Sequence, residues 1–116
     1  MFNSFFQKKT ANLFNKSLIK AEAGNSEFQL IVADMYREGA GTTADMNKSV
    51  FWYEKASKGG NIEATHKLGI AYFRGDGVGE DLDKGIQYVE RAVKHGHRLA
   101  IRALPAMIAL QDMKQG

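Results

Sequence analysis

The sequence predicts an all-α chain, a right-handed α/α superhelix of stacked helical hairpins. Three observations carry that expectation. Residues 25–60 recur as residues 61–96, with eleven identities over the 36 aligned positions. A fixed period of this length marks a stacked repeat. Each copy holds two stretches of helical apolar spacing joined by a glycine elbow, Gly39-Ala40-Gly41 and Gly75-Asp76-Gly77-Val78-Gly79. The same register runs past both ends: Gly24 lies 36 residues before Gly60, and Ala100 and Leu104 repeat Ala64 and Leu68.

Taken in order, residues 1–24 form an N-terminal capping helix, residues 25–60 and 61–96 the two repeats, and residues 97–116 a partial repeat that closes the stack. In the first segment the apolar spacing of Leu13, Phe14, Leu18 and Ala21 predicts a helix from about Thr10, with Gly24 as its stop. It takes the place of the second helix of a preceding repeat, covering an end that would otherwise face water. Lys8, Lys9, Lys16 and Lys20 against Glu22 account for the whole net charge of +3, so the repeat body is neutral. The competing reading is a basic, Phe-rich anchor on an anionic membrane through residues 1–20. The need of the stack for a cap favours the first reading, and membrane contact is not favoured. Phe2, Phe5 and Phe6 stand open to the stack, a membrane or a partner.

The first helix of each repeat is expected at residues 26–38 and 62–74. Phe28, Val32, Ala33, Met35 and Tyr36 form one apolar stripe, and Ala64, Leu68, Gly69, Ala71 and Tyr72 the other. Ala33 and Gly69 are small enough to let a neighbouring helix come close, so Gly69→Leu should overpack the junction. The elbows supply residues that tolerate positive φ, and Asp45 and Asp81 stand where a carboxylate caps the next helix. The second helices run to about Lys58 and His95, with Val50, Trp52 or Tyr53, and Ala56 facing inward in one, and Ile86, Val89, Ala92 and Val93 in the other. Residues 98–113 form a closing helix bent at Pro105. Its apolar run 106–110 either covers the last hairpin or pairs with a second copy of the chain.

The order Tyr36, Gly39, Gly41, Asp45, Lys48, Trp52, Lys55, Ala56, Gly60 resembles the Sel1-like repeat, a relative of the tetratricopeptide repeat. The second copy is similar over more positions: Ala64, Leu68, Gly69, Tyr72, Gly75, Gly77, Val78, Asp81, Lys84, Tyr88, Arg91, Ala92, Gly96. The first copy departs from the family pattern with Ala33 for glycine and Thr42 for valine. The resemblance implies a binding scaffold for a protein or peptide: an adaptor, or an inhibitory binder such as a toxin-neutralising protein.

Catalysis finds no support in the residues. There is no cysteine, which removes disulfides and thiolate chemistry. The glycine-rich stretch 75–79 follows a helix and lacks a following Gly-Lys-Ser/Thr, so it is not a phosphate loop. His95 and His97 flank an inter-repeat turn without a third ligand at metal spacing and are expected as exposed turn residues; no metal or other cofactor is expected. The neutral body and the lack of a base-reading triplet argue against nucleic acid. No stretch reaches the roughly 18 apolar residues of a membrane span or the apolar core of a signal peptide, and the expected location is cytoplasmic.

The tetratricopeptide-like register turns one side of the first helices toward a concave face. That face holds Leu30, Ile31, Asp34 and Arg37, then His66, Lys67, Ile70, Phe73 and Arg74, then Arg102. Glu27, Glu38, Glu63, Leu99 and Ala106 flank them. An apolar floor with a cationic flank suits an extended or helical peptide.

Overall fold

The computed structural model describes residues 2–116, with side chains from Ser4 onward. Among these residues there are six helices and no strand: α1 (Phe2–Glu22), α2 (Ser26–Glu38), α3 (Met46–Lys58), α4 (Ile62–Arg74), α5 (Leu82–Lys94) and α6 (Arg98–Gln115). Each helix packs on the next in the chain. The molecule measures 53 × 27 × 22 Å with a radius of gyration of 15.6 Å. A globular chain of this length would have a radius near about 13 Å. The excess is what a one-dimensional stack produces.

The two hairpins repeat atom for atom at their elbows. Gly39 (φ 71°) and Gly75 (φ 76°) end α2 and α4 in the left-handed region, where a Cβ would clash with the following carbonyl. The Asp45 amide then donates to the Tyr36 carbonyl at 2.8 Å, and the Asp81 amide to Tyr72 at 2.8 Å. Both carboxylates cap the next helix, accepting from the amides of Lys48 and Lys84. Lys48 and Lys84 lie over the rings of Tyr36 and Tyr72 respectively. The first helices have their own caps, Asn25 and Asn61.

Stacking of one unit on the next is equally regular. A Cβ on Gly41 would fall on the Thr10 carbonyl, and one on Gly77 on the Met46 carbonyl. Thr10 and Met46 are one period apart, so α1 abuts the first elbow as α3 abuts the second. Helix α1 begins about two turns before the expected Thr10. The reason is that residues 4–9 are all exposed, Phe5 and Phe6 among them, so among the described side chains no apolar face announces the helix. The expectation for Phe2 lies outside the described side chains.

Two apolar clusters run along the stack. The first joins Phe14, Val32, Ala33, Val50, Tyr53, Ala56 and Leu68; the second joins Ile86, Val89, Ala92, Ala100 and Met107. Trp52 and Tyr53 both face inward. Burying a residue such as Leu68 contributes about 1.5–3 kcal/mol. Another close contact lies between α4 and α5, where a Cβ on Gly69 would sit 2.7 Å from Val89 Cγ2 and one on Gly85 would sit 2.7 Å from the Gly69 carbonyl. The first hairpin solves the same junction differently: Ser49 Oγ donates to the Ala33 carbonyl at 2.7 Å.

Helix α6 passes through Pro105, whose missing N–H leaves the Ile101 carbonyl without its helical donor. Met107 packs on the second cluster, while Ile101, Ile108 and Leu110 are exposed. Ile108 is the register equivalent of Tyr72, which in α4 stacks on Tyr88 of the following helix α5. Among the described residues α6 has no such partner.

Candidate functional site

The alternate helices α2, α4 and α6 present one common face, tied together by side chains. Lys67 Nζ on α4 donates to both carboxylate oxygens of Asp34 on α2, at 2.9 and 3.0 Å. Asp34 also accepts a hydrogen bond from the Tyr53 hydroxyl, and Arg37 lies 3.9 Å from it. Burial above all, and then the hydrogen bond to Asp34, hold the Tyr53 phenol well above its ordinary value. Asp34 is therefore a structural anchor between hairpins, not a free carboxylate awaiting a ligand.

Beside this anchor a groove of about 380 Å³ is lined by Arg37, Glu63, His66, Lys67, Ile70, Arg74, Leu99 and Ala103. It continues through Ile70, Arg74 and Ala103 into a more apolar depression of about 480 Å³, which adds Phe73, Leu82, Met107 and Leu110. The floor is aliphatic and the rim carries Arg37, Lys67 and Arg74. Arg37 is drawn toward Asp34 and Glu38, and Lys67 is paired, whereas no ion pair forms at Arg74 among the described residues.

Of the residues expected on the concave face, Arg37, His66, Lys67, Ile70, Phe73 and Arg74 line this continuous groove. Three do not. Leu30 is half-buried and packs against the first core cluster. Ile31 is 40% exposed and Arg102 is exposed, and both lie outside the lining. Ile70 and Phe73 serve twice, packing on the second core cluster while showing an edge to the groove.

The histidines correct the sequence reading. His95 is exposed at the turn, its Nδ1 2.9 Å from the Arg91 carbonyl. His97 is not: its side chain is only 12% exposed. It caps α6, Nδ1 accepting from the Ala100 amide at 3.2 Å, while Nε2 lies 2.5 Å from Glu63 Oε2. Its ring stacks on His66 with centroids 4.5 Å apart and planes 29° from parallel. Burial pushes the His66 imidazole below the usual histidine value, and the adjacent His97 adds to this while Glu63 opposes it. His66 Nδ1 is buried without a hydrogen-bond partner. Glu63, His66 and His97 thus bring three ligand atoms within 4.8 Å of one another, the third partner that the sequence spacing of His95 and His97 did not reveal.

The comparisons agree with this architecture. A family model described as the Sel1 repeat matches residues 26–61 and 62–97. The chain belongs to the Sel1 repeat family. A Sel1 repeat protein from Oxalobacter formigenes matches with 31% identity and a TM-score of 0.76, over 78% of this chain and 68% of that one. A protective antigen present in uropathogenic Escherichia coli strains, itself displaying an SLR fold, matches with 29% identity and a TM-score of 0.78; the match covers 81% of this chain but 20% of the antigen. The cysteine rich protein B of Helicobacter pylori shares the fold at 22% identity and a TM-score of 0.75, over 80% of this chain and 70% of that one. No curated protein matches the sequence. Sel1 repeats generally form non-catalytic protein-interaction modules. Among the described residues no helix is long and apolar enough to cross a membrane.

Proposed function

We propose that this chain is a non-catalytic binding module that holds a segment of a partner protein in the groove of α2, α4 and α6, as an adaptor or an inhibitory binder. The observation that carries the reading is the composition of the groove: an aliphatic floor of Ile70, Leu99 and Ala103 beneath Arg37, Lys67 and Arg74. Such a floor takes apolar anchor side chains, and its cationic rim selects partners with carboxylates between those anchors. Arg74 and the 56% exposed Leu99 are the residues whose replacement touches the groove and little else. In an affinity capture, Arg74→Glu with Leu99→Asp should lose the partner that the wild-type chain retains, at an unchanged melting temperature. A Phe51→Ser control on α3 should retain it. Full capture by the double variant would move the interface elsewhere on the molecule.

A second reading concerns α1. Phe5 is 60% and Phe6 51% exposed, with Lys9 Nζ over the Phe5 ring. Aromatic side chains beside lysines suit the headgroup region of an anionic bilayer. Flotation with phosphatidylserine vesicles separates the two readings, because Phe5→Ser with Phe6→Ser would abolish flotation and leave groove binding intact.

A further inference from the structure

We propose that Glu63, His66 and His97 form a site for a divalent transition metal ion of the zinc class, where α4 meets the start of α6. The donor set is two imidazoles and a carboxylate, with one ligand atom from each within 4.8 Å of the others. Zinc bonds of about 2.0–2.2 Å in a tetrahedron place ligand atoms roughly 3.3 Å apart. Binding therefore requires the three side chains to rotate inward from their present positions. Three protein ligands leave the fourth position to water.

Two independent observations turn the cluster into a site. His66 is 9% exposed, and its Nδ1 is shut away with no hydrogen-bond partner, an arrangement that costs free energy while it stays unpartnered. The repeat supplies the second. The caps of the first helices are Asn25, Asn61 and His97, one period apart. Asparagine ranks among the best caps and already serves at the two earlier positions, so capping does not explain the histidine. At the preceding junction the residues equivalent to Glu63, His66 and His97 are Glu27, Leu30 and Asn61. Both imidazoles are therefore peculiar to the second junction. The neighbouring ammonium, Lys67, is held by Asp34.

Binding has a structural consequence. With Nδ1 accepting from the Ala100 amide, His97 carries its proton on Nε2, toward Glu63. Coordination through Nε2 transfers that proton to Nδ1, so the ring can no longer accept from Ala100. The two rings also turn out of their stack, because a nitrogen lone pair lies in its ring plane. Metal binding thus uncaps α6 at its first turn.

The test is calorimetric titration of the full, untagged chain with Zn²⁺, alongside amide NMR. One ion per chain is expected, with a displaced Ala100 amide resonance. Outer-shell losses alone weaken metal sites by about 10–100-fold, so His66→Gln and His97→Asn should each weaken binding at least about 100-fold. His97→Asn should keep the metal-free melting temperature, since asparagine caps the equivalent positions. His95→Ala should bind as the wild type does. Wild-type affinity no tighter than that of the His66→Gln/His97→Asn chain overturns the proposal. So does a loss on His95→Ala equal to that on His97→Asn, which would show adventitious binding by surface histidines only.

Discussion

Replacing Gly85 by alanine isolates the contact that sets the separation of α4 and α5. The new Cβ would stand 2.7 Å from the Gly69 carbonyl oxygen, 2.8 Å from the Phe73 amide nitrogen and 2.9 Å from Phe73 Cβ. Ordinary Cβ contacts begin at about 3.4 Å, and two of these three neighbours are backbone atoms that cannot rotate aside. Helix α5 must then withdraw by roughly 0.6 Å, loosening Val89 against Gly69, and overpacking of this kind costs about 1–3 kcal/mol. The rigid neighbours place this case near the top of that range. Alanine returns about 1 kcal/mol through its better helix propensity. The net expectation is a loss of about 2 kcal/mol, read as a lower urea midpoint at unchanged slope. At roughly 4 °C per kcal/mol, the melting temperature should fall by about 8 °C. Ser49→Ala, at the same register position in the first hairpin, introduces no clash and removes one hydrogen bond, costing about 1 kcal/mol. A Gly85→Ala chain as stable as the wild type would refute the argument, since propensity alone would then govern the site.

Other expectations follow from the anchor and the caps. Tyr53 ionises above its ordinary value because it is buried and bonded to Asp34, so the fold retains a proton that the unfolded chain releases. Stability should accordingly decline as pH rises past about 10, and less steeply in Tyr53→Phe, as followed by urea melts across that range. Asp45→Ala and Asp81→Ala each remove a helix cap and should cost about 1 kcal/mol apiece. The two losses should add in the double variant, because the caps lie in different hairpins and share no partner.

The hairpins were legible because their determinants are local. Gly39, Asp45, Gly75 and Asp81 act within a few residues of themselves, and the apolar spacing of α2 to α5 reports a buried face directly. The start of α1 was not legible, since Phe5 and Phe6 are helical without being buried. Gly85 escaped notice because its equivalent, Ser49, solves the same junction by a hydrogen bond instead of by absence, so the two positions share no chemical type.

The candidate site was harder to read for a geometric reason: the period identifies equivalent residues, whereas touching residues stand at another spacing. Asp34 meets Lys67 at a separation of 33, and Glu63 meets His97 at 34, each short of the 36-residue repeat. That offset can be tested by transplanting the anchor one unit onward. The register equivalents of Asp34 and Lys67 are Ile70 and Ala103, which line the same groove. Ile70→Asp alone should be strongly destabilising, because Ile70 packs on the second core cluster. Ala103→Lys alone should cost less, its position being only half-buried. If adjacent hairpins share one geometry, the double variant should recover about 1 kcal/mol relative to the sum of the singles. Additivity within about 0.3 kcal/mol would mean that α6 does not lie on α4 as α4 lies on α2. The groove would then lose its third wall, and the juxtaposition of Glu63 with His97 would lose its basis with it.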